Sequence, residues 1–126
     1  MVEPAHRGHG FQHRLTRARH DATRRLGRTH HLATAALGNR FSWRNAMSNG
    51  FHVRAIVALD DPTYGRLTRF LLHRPPQPTA LAGPTVWHDA TDAAGQRSLI
   101  ASGLRGVEQR ERDGVQQVGY RRPAAP

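Results

Sequence analysis

The sequence predicts a small α+β domain built around a ββα unit, and two local signals specify the hairpin of that unit. Apolar residues alternate with other residues over Phe51–Leu59, which is typical of a strand with one buried face. Asn49-Gly50 precedes this strand, and Asn-Gly between two alternating segments is the strongest short-range hairpin signal. Phe41–Met47 supplies the other strand, so we expect a hairpin at about 41–59.

A helix at about 62–73 is expected to complete the unit. Asp61 suits the N-cap because its carboxylate accepts from free amides, and Pro62 suits the first turn because it lacks a donor. Pro75-Pro76 then ends the segment. The apolar residues at helical spacing are Tyr64, Leu67, Phe70 and Leu71.

The N-terminal third predicts a basic arm. Residues 1–10 are rich in Gly and His and are expected to be disordered, whereas 11–37 predict a basic amphipathic helix or arm. Its apolar stripe is Phe11, Leu15, Ala18, Ala22 and Leu26, and His30–Leu37 resumes the pattern. The arginines on another face are Arg14, Arg17, Arg24 and Arg28. A frayed, solvated arm is the alternative.

The C-terminal half predicts a mixture of elements after the core unit at 38–76. A proline-rich linker covers 77–84, and a helix-containing segment covers 85–120, with a short strand at 85–88 and a helix at about 92–112. Val115–Tyr120 reads as a last strand and 121–126 as a tail. The sequence shows no internal repeat.

Charge gives the main functional indication. The net charge is +10, and every Lys or Arg position is Arg. Most of the excess lies in residues 1–59, as expected for a protein that binds a polyanion such as DNA or RNA. Codon bias in a GC-rich genome is the competing explanation. No apolar run approaches the ~18 residues needed to span a bilayer, so we expect a cytoplasmic protein with no membrane partner.

Two groups of residues are candidates for nucleic-acid contact. The first is Arg40, Trp43 and Arg44, because aromatic rings can stack on unpaired bases while guanidinium groups hold phosphates. Burial of Phe41 and Trp43 in the core is the alternative. The second group is Arg66, Arg69 and Arg74, which form a second basic surface on the predicted helix and directly after it.

Catalytic and metal-binding motifs are scarce. The absence of Cys removes thiolate chemistry and cysteine zinc sites, and the nine His residues do not have the spacing of a complete metal site. His88-Asp89 is only a dipeptide match to metal phosphohydrolases, and Asp61 is better explained as a cap. We therefore expect no cofactor and no catalytic residue, and an enzyme is disfavoured.

The segment from Gly50 to Pro76 resembles part of the two-tyrosine transposases of rolling-circle insertion elements. The resemblance lies in the Gly50-Phe51 strand and in Arg66-Leu67, Arg69-Phe70 and Arg74-Pro75-Pro76. It implies a helix, DNA binding and an origin in a mobile element. The position of the family's tyrosine nucleophile is Phe70, which has no hydroxyl, and the family's metal motif is absent. The resemblance therefore implies no strand transfer.

These observations favour a small Arg-rich nucleic-acid-binding protein, in the form of a degenerate transposase fragment. One alternative is a small enzyme-like or cofactor-binding domain in which Asp60, Trp87 and His88 share a pocket. Another is a recently arisen reading frame with no defined function.

Overall fold

The computed structural model describes residues 30–125, which form six strands and two short helices. In chain order they are β1 (His31–Ala36), α1 (Arg40–Ser48), β2 (His52–Asp61), β3 (Gly65–Arg74), β4 (Leu81–Asp89), α2 (Ala93–Ala101), β5 (Arg105–Arg112) and β6 (Val115–Pro123). The described chain is therefore mainly β, and the predicted α+β fold around a ββα unit is wrong. Within these residues no helix has the length and apolar character needed to cross a membrane.

All six strands belong to one antiparallel sheet in the order β1-β3-β2-β5-β6-β4. Both helices pack on the same face of it. Trp43 of α1 meets Phe70 of β3 edge-to-face, and the Tyr120 hydroxyl of β6 donates to Gln96 of α2. Within residues 30–125 no helix covers the other side, which we call the open face. It includes His52, Arg54, Ala55, Val57, Arg69, Leu71, His73, Trp87, Arg105, Arg110 and Arg121.

The two halves of the described chain repeat one unit: a strand, a helix and a hairpin. The two halves are β1-α1-β2-β3 and β4-α2-β5-β6. From either edge of the sheet inward, the strands come in the order first, third and second of the half to which they belong. The halves meet where Val53 of β2 pairs with Gly106 of β5, and these residues are 53 positions apart. The fold thus has an approximate two-fold axis at this pair, although the sequence shows no repeat.

The ends of the two helices obey the same 53-residue spacing. Asn39 and Asp92 are the N-caps, and each side chain accepts from the amide three residues later. Gly50 and Gly103 follow the two helices with φ of 88° and 97°, a conformation that suits the residue after a helix C-terminus. Each half therefore begins its helix with a capping side chain and follows it with a glycine of positive φ.

Buried polar groups also match between the halves. The Trp43 indole nitrogen donates to the Leu37 carbonyl at 3.1 Å, and the Gln96 amide donates to the Ala90 carbonyl at 3.0 Å. Trp43 and Gln96 are fully buried and again 53 positions apart. Each side chain anchors its helix to the strand before it while satisfying its own donor.

The core lies between the helices and the sheet. It is built from Ala35, Leu37, Trp43, Ala46, Met47, Phe51, Val53, Ile56, Phe70, Leu72, Ala90, Val118 and Tyr120. Most of the strand residues in this set alternate along their strands, so the neighbouring positions face the open side.

The helix predicted at 62–73 is replaced by strand β3. In the structure the buried residues Phe70 and Leu72 alternate with Arg69, Leu71 and His73 of the open face, which is the period of a strand. β3 forms ladders with β1 on one side and β2 on the other, and Phe70 and Leu72 enter the core. The two ladders and this burial favour the strand over the helix.

The hairpin predicted at 41–59 is also wrong in its first strand. Asn39 caps helix α1, and Asn49-Gly50 ends that helix instead of joining two strands. The Gly50 amide donates to the Met47 carbonyl and the Phe51 amide to the Ala46 carbonyl. Asn-Gly therefore serves as a helix C-terminus here, because Gly50 adopts the positive φ of 88° that is common just after a helix.

The terminal predictions differ in outcome. Residues His31–Ala36 form an edge strand and do not continue a helix. The region predicted as a helix at about 92–112 divides into α2 and strand β5, because Gly103, with φ of 97°, follows the end of the helix. β6 contains the predicted strand at 115–120, and β4 contains the one at 85–88. The predictions for 1–10 and 11–26 lie outside the described residues.

Candidate nucleic-acid interface

A group of cationic and imidazole side chains gathers on the open face beside the two-fold axis. We call His30, His52, Arg54, His73 and Arg105 the basic cluster. His52, Arg54 and Arg105 flank the Val53–Gly106 pair, and His73 follows the core residue Leu72. Side chains next to these inward-facing residues lie on the opposite side of the sheet. His30 immediately precedes β1 and contacts His73.

Backbone irregularities help to position the cluster. The register of β2 against β3 shifts between Val53 and Ala55, which places Arg54 at a bulge. β5 has a matching shift between Gly106 and Glu108. Bulges re-aim side chains and increase local twist. Arg54 is in this way directed toward His73 on the neighbouring strand.

Hydrogen bonds fix the arrangement of three members of the cluster. An Arg54 Nη1 donates to His73 Nδ1 at 3.0 Å, and His73 Nε2 lies 2.9 Å from His30 Nδ1. Because Arg can only donate, His73 Nδ1 is unprotonated and its Nε2–H is the donor to His30. The two imidazole rings are stacked, with centroids 5.2 Å apart. His73 is accordingly a neutral bridge in this state.

No described carboxylate neutralises the two arginines of the cluster. Among residues 30–125 the ion pairs join Arg66 to Asp60, His88 to Asp92 and Arg121 to Glu108. Arg105 instead donates to the Thr79 hydroxyl at 3.5 Å. Burial and the nearby charge of Arg54 lower the pKa of the Arg105 guanidinium. The cluster is thus a concentration of positive charge that an anion would stabilise.

The pKa of His52 is strongly lowered in these surroundings. Burial, followed by the charges of Arg105, His73 and Arg54, lowers the pKa of His52 to about 4. Burial and the charge of Arg54 are the main causes that lower the pKa of His73 as well. His52 Nδ1 is buried and has no hydrogen-bond partner among the described residues. The imidazole is therefore held neutral with an unused polar atom.

We expect the free energy of unfolding to decrease as pH falls from about 6.5 toward 4, because the unfolded chain binds a proton that folded His52 rejects. This contribution is fully present above the unfolded pKa and is lost as pH approaches the folded pKa. Urea unfolding at pH 7.5, 6.0 and 5.0 measures it. The variant His52→Gln should lose less stability over this range than the wild type, and equal losses would contradict the assignment.

The structure separates the residues that the sequence grouped together. Arg40 and Arg44 belong to α1 on the helix side, where Arg40 lies over the Phe41 ring and Arg44 donates to Gln109 at 2.5 Å. Trp43 is fully buried, so its ring cannot stack on a base. This agrees with the alternative that Trp43 belongs to the core.

The second predicted group is divided among three surroundings. Arg66 pairs with Asp60 near the β2–β3 turn at 3.6 Å, and both side chains are largely exposed. Arg69 lies on the open face and donates to the Thr34 carbonyl. Arg74, at the end of β3, lines a pocket with His52. Arg14, Arg17, Arg24 and Arg28 lie outside the described residues.

The aromatic residue on the open face is Trp87, which the sequence did not assign to binding. Trp87 pairs with Gly119, between the buried residues Val118 and Tyr120, and so faces away from the helices. The Arg110 guanidinium lies 4.1 Å from its ring centroid. The Trp87–Arg110 pair places a flat cationic and aromatic surface toward the β4 edge of the sheet.

The main site residues missed from the sequence are Arg54 and Arg105. The alternating pattern around Val53 could have placed Arg54 on the exposed face of a strand. No local pattern indicates the position of Arg105, because the sequence predicts a helix for its segment. Their proximity depends on the pairing of β2 with β5 across the centre of the sheet.

The residues of the enzyme-like alternative make separate contacts. Asp60 pairs with Arg66, Trp87 with Arg110, and His88 with Asp92 at 2.5 Å. Within residues 30–125 no three His, Asp or Glu side chains gather in a way that could hold a metal ion. These contacts do not assemble a shared catalytic pocket.

No protein-family model matches the chain, and comparisons with curated proteins and with solved structures find no similar protein. The geometry and charge of the open face are therefore the features that bear on function.

Proposed function

We propose that this protein binds nucleic acid, through phosphate contacts made by the open face with the basic cluster at their centre. The observation that carries this proposal is the meeting of Arg54 and Arg105 without a described carboxylate partner. Arg guanidinium groups pair with phosphate through two parallel hydrogen bonds, and phosphate contacts dominate the affinity of nucleic-acid-binding proteins.

The flatness of the site favours a single strand over a duplex. An exposed β-sheet presents an extended surface along which a backbone can run, and Trp87 offers a ring near the β4 edge. No described helix projects from the open face to enter a major groove. Binding of this kind is directed mainly to phosphate and has a strong salt dependence.

A mobile-element origin stays a prediction. The matching segment forms strands β2 and β3, in place of the strand and helix that the resemblance implies. Phe70, at the family's nucleophile position, is fully buried in the core. We therefore propose binding without strand transfer.

The double variant Arg54→Gln/Arg105→Gln tests the proposed function in the full chain. Fluorescence anisotropy with a labelled single strand should show affinity reduced by about tenfold or more at low salt. The slope of log K against log salt should fall by about 1.4, since each phosphate contact on a single strand contributes about 0.7.

The control Arg40→Gln/Arg97→Gln removes the same charge from the helix side, where both residues are exposed. It should retain near wild-type affinity. Equal losses in the two double variants would show that net charge alone drives binding and would contradict a site on the open face. No binding by the folded wild type would refute the function.

A further inference from the structure

A pocket of about 430 Å³ adjoins the basic cluster at the end of β3. Its lining is Gly50, His52, Arg74 and the connection Pro75–Thr79. This volume lies in the range of small-molecule sites, about 300–1,000 Å³, so the pocket accommodates one nucleotide-sized group and not a run of polymer. His52 belongs to both the pocket and the cluster.

The walls of this pocket combine positive charge with unused hydrogen-bonding capacity. His52 contributes the buried Nδ1 that has no partner among the described residues, and Arg74 contributes a guanidinium. Arg105 reaches the rim through its contact with Thr79. No Asp or Glu lines the pocket. Its chemistry is therefore that of an anion site.

The charged groups nearest His52 are cationic. Arg54 lies on the same strand and Arg105 on β5, whereas His73 is neutral and Arg121, the cross-strand neighbour of Arg105, pairs with Glu108. A phosphate monoester carries about −1.5 to −2 at neutral pH, whereas each phosphodiester carries one charge. The monoester is the better match for a pocket that Arg74 lines and Arg105 borders.

We propose that this pocket binds a phosphate monoester, supplied by the terminal phosphate of the strand that lies on the open face. This inference rests on the proposed function, since the strand must first occupy the basic cluster. The terminal group would enter between His52 and Arg74, while Arg54 and Arg105 hold the adjoining phosphodiesters. The protein would then recognise strand ends in preference to strand interiors.

The experiment compares otherwise identical short single strands that carry a 5′-phosphate, a 3′-phosphate or hydroxyl groups at both ends. One phosphorylated strand should bind about tenfold more tightly than the hydroxyl strand. His52→Gln and Arg74→Gln, each checked for cooperative unfolding, should remove this preference. Arg112→Gln, at the distant end of β5, should retain it.

The outcomes separate this inference from the proposed function. Equal binding of all three strands would overturn end recognition and leave nucleic-acid binding intact. Binding of none would overturn both. Displacement of the strand by adenosine 5′-monophosphate, but not by adenosine, would support the monoester site. The same displacement with equal binding of all three strands would overturn end recognition and assign the source of the monoester to a free nucleotide. Displacement by inorganic phosphate at equal concentration would show that the ester group is not recognised.

Discussion

Replacing Trp43 with alanine is expected to destabilise the fold by about 3–5 kcal/mol. The side chain is fully buried, donates to the Leu37 carbonyl and packs edge-to-face on Phe70 with ring centroids 5.9 Å apart. The substitution leaves a cavity between α1 and the sheet, and it leaves the carbonyl without its indole donor. Because a domain of this size has a total stability of about 5–15 kcal/mol, thermal unfolding should begin well below its wild-type temperature.

Phe41 provides a matched control for this substitution. It is an aromatic residue on the same helix, two positions away, and is 52% exposed. Phe41→Ala should change stability by no more than about 0.5 kcal/mol. Thermal unfolding followed by circular dichroism compares the two variants. Similar melting temperatures would contradict the burial of Trp43 and reopen the hypothesis that its ring stacks on bases.

Replacing Gly106 with alanine should cost about 1–3 kcal/mol through overpacking at the two-fold axis. A Cβ atom at this position would lie 2.8 Å from both Val118 Cγ1 and Val53 Cβ. Neither atom lies at the end of a flexible side chain, so the strands themselves must move. This strain falls on the Val53–Gly106 pair, which joins β2 to β5 in the described part of the chain.

Gly38 provides the control for Gly106, because a Cβ there would meet nothing within 4 Å. Gly38→Ala should be close to neutral. Urea unfolding of Gly106→Ala, Val118→Ala and the double variant gives a coupling free energy. The double variant should be less destabilised than the sum of the single variants, since Val118→Ala removes the Cγ1 atom that the new Cβ atom would meet at 2.8 Å. Additive losses would argue against direct contact at the axis.

Several local signals in the sequence mark true features of the chain but predict the wrong element. Asp61 was expected to cap a helix, and its carboxylate does accept from the amides of Thr63 and Tyr64, each at 2.8 Å. These bonds instead form a turn that leads into β3, with Gly65 at φ of 77°. An Asp carboxylate satisfies free amides in the same way at a helix start and in a hairpin turn, so the local signal could not separate them.

The basic cluster shows why the candidate site was only partly predictable. The excess of Arg indicated an anionic partner, but the cluster joins residues as distant in sequence as His30 and Arg105. Arg69 is among the residues that the sequence predicts for nucleic-acid contact, but its neighbours on the open face depend on the order of strands in the sheet. Composition indicates the charge of a surface, and only strand pairing determines which charges meet.

The sequence by itself determined the central strand β2 and the strand in β6, because these depend on residues close together in the chain. It also marked chain breaks at Asn49-Gly50 and Asp61, but it did not determine which elements these residues join. Only the tertiary structure decided that 65–74 is a strand and that 40–48 is a helix. In each segment some apolar residues have the spacing of a helix and others the spacing of a strand. The choice follows from which conformation buries Phe70 and Trp43 in one core. The two-fold repeat and the basic cluster arise from β2–β5 pairing, a contact between residues 53 positions apart that no local pattern encodes.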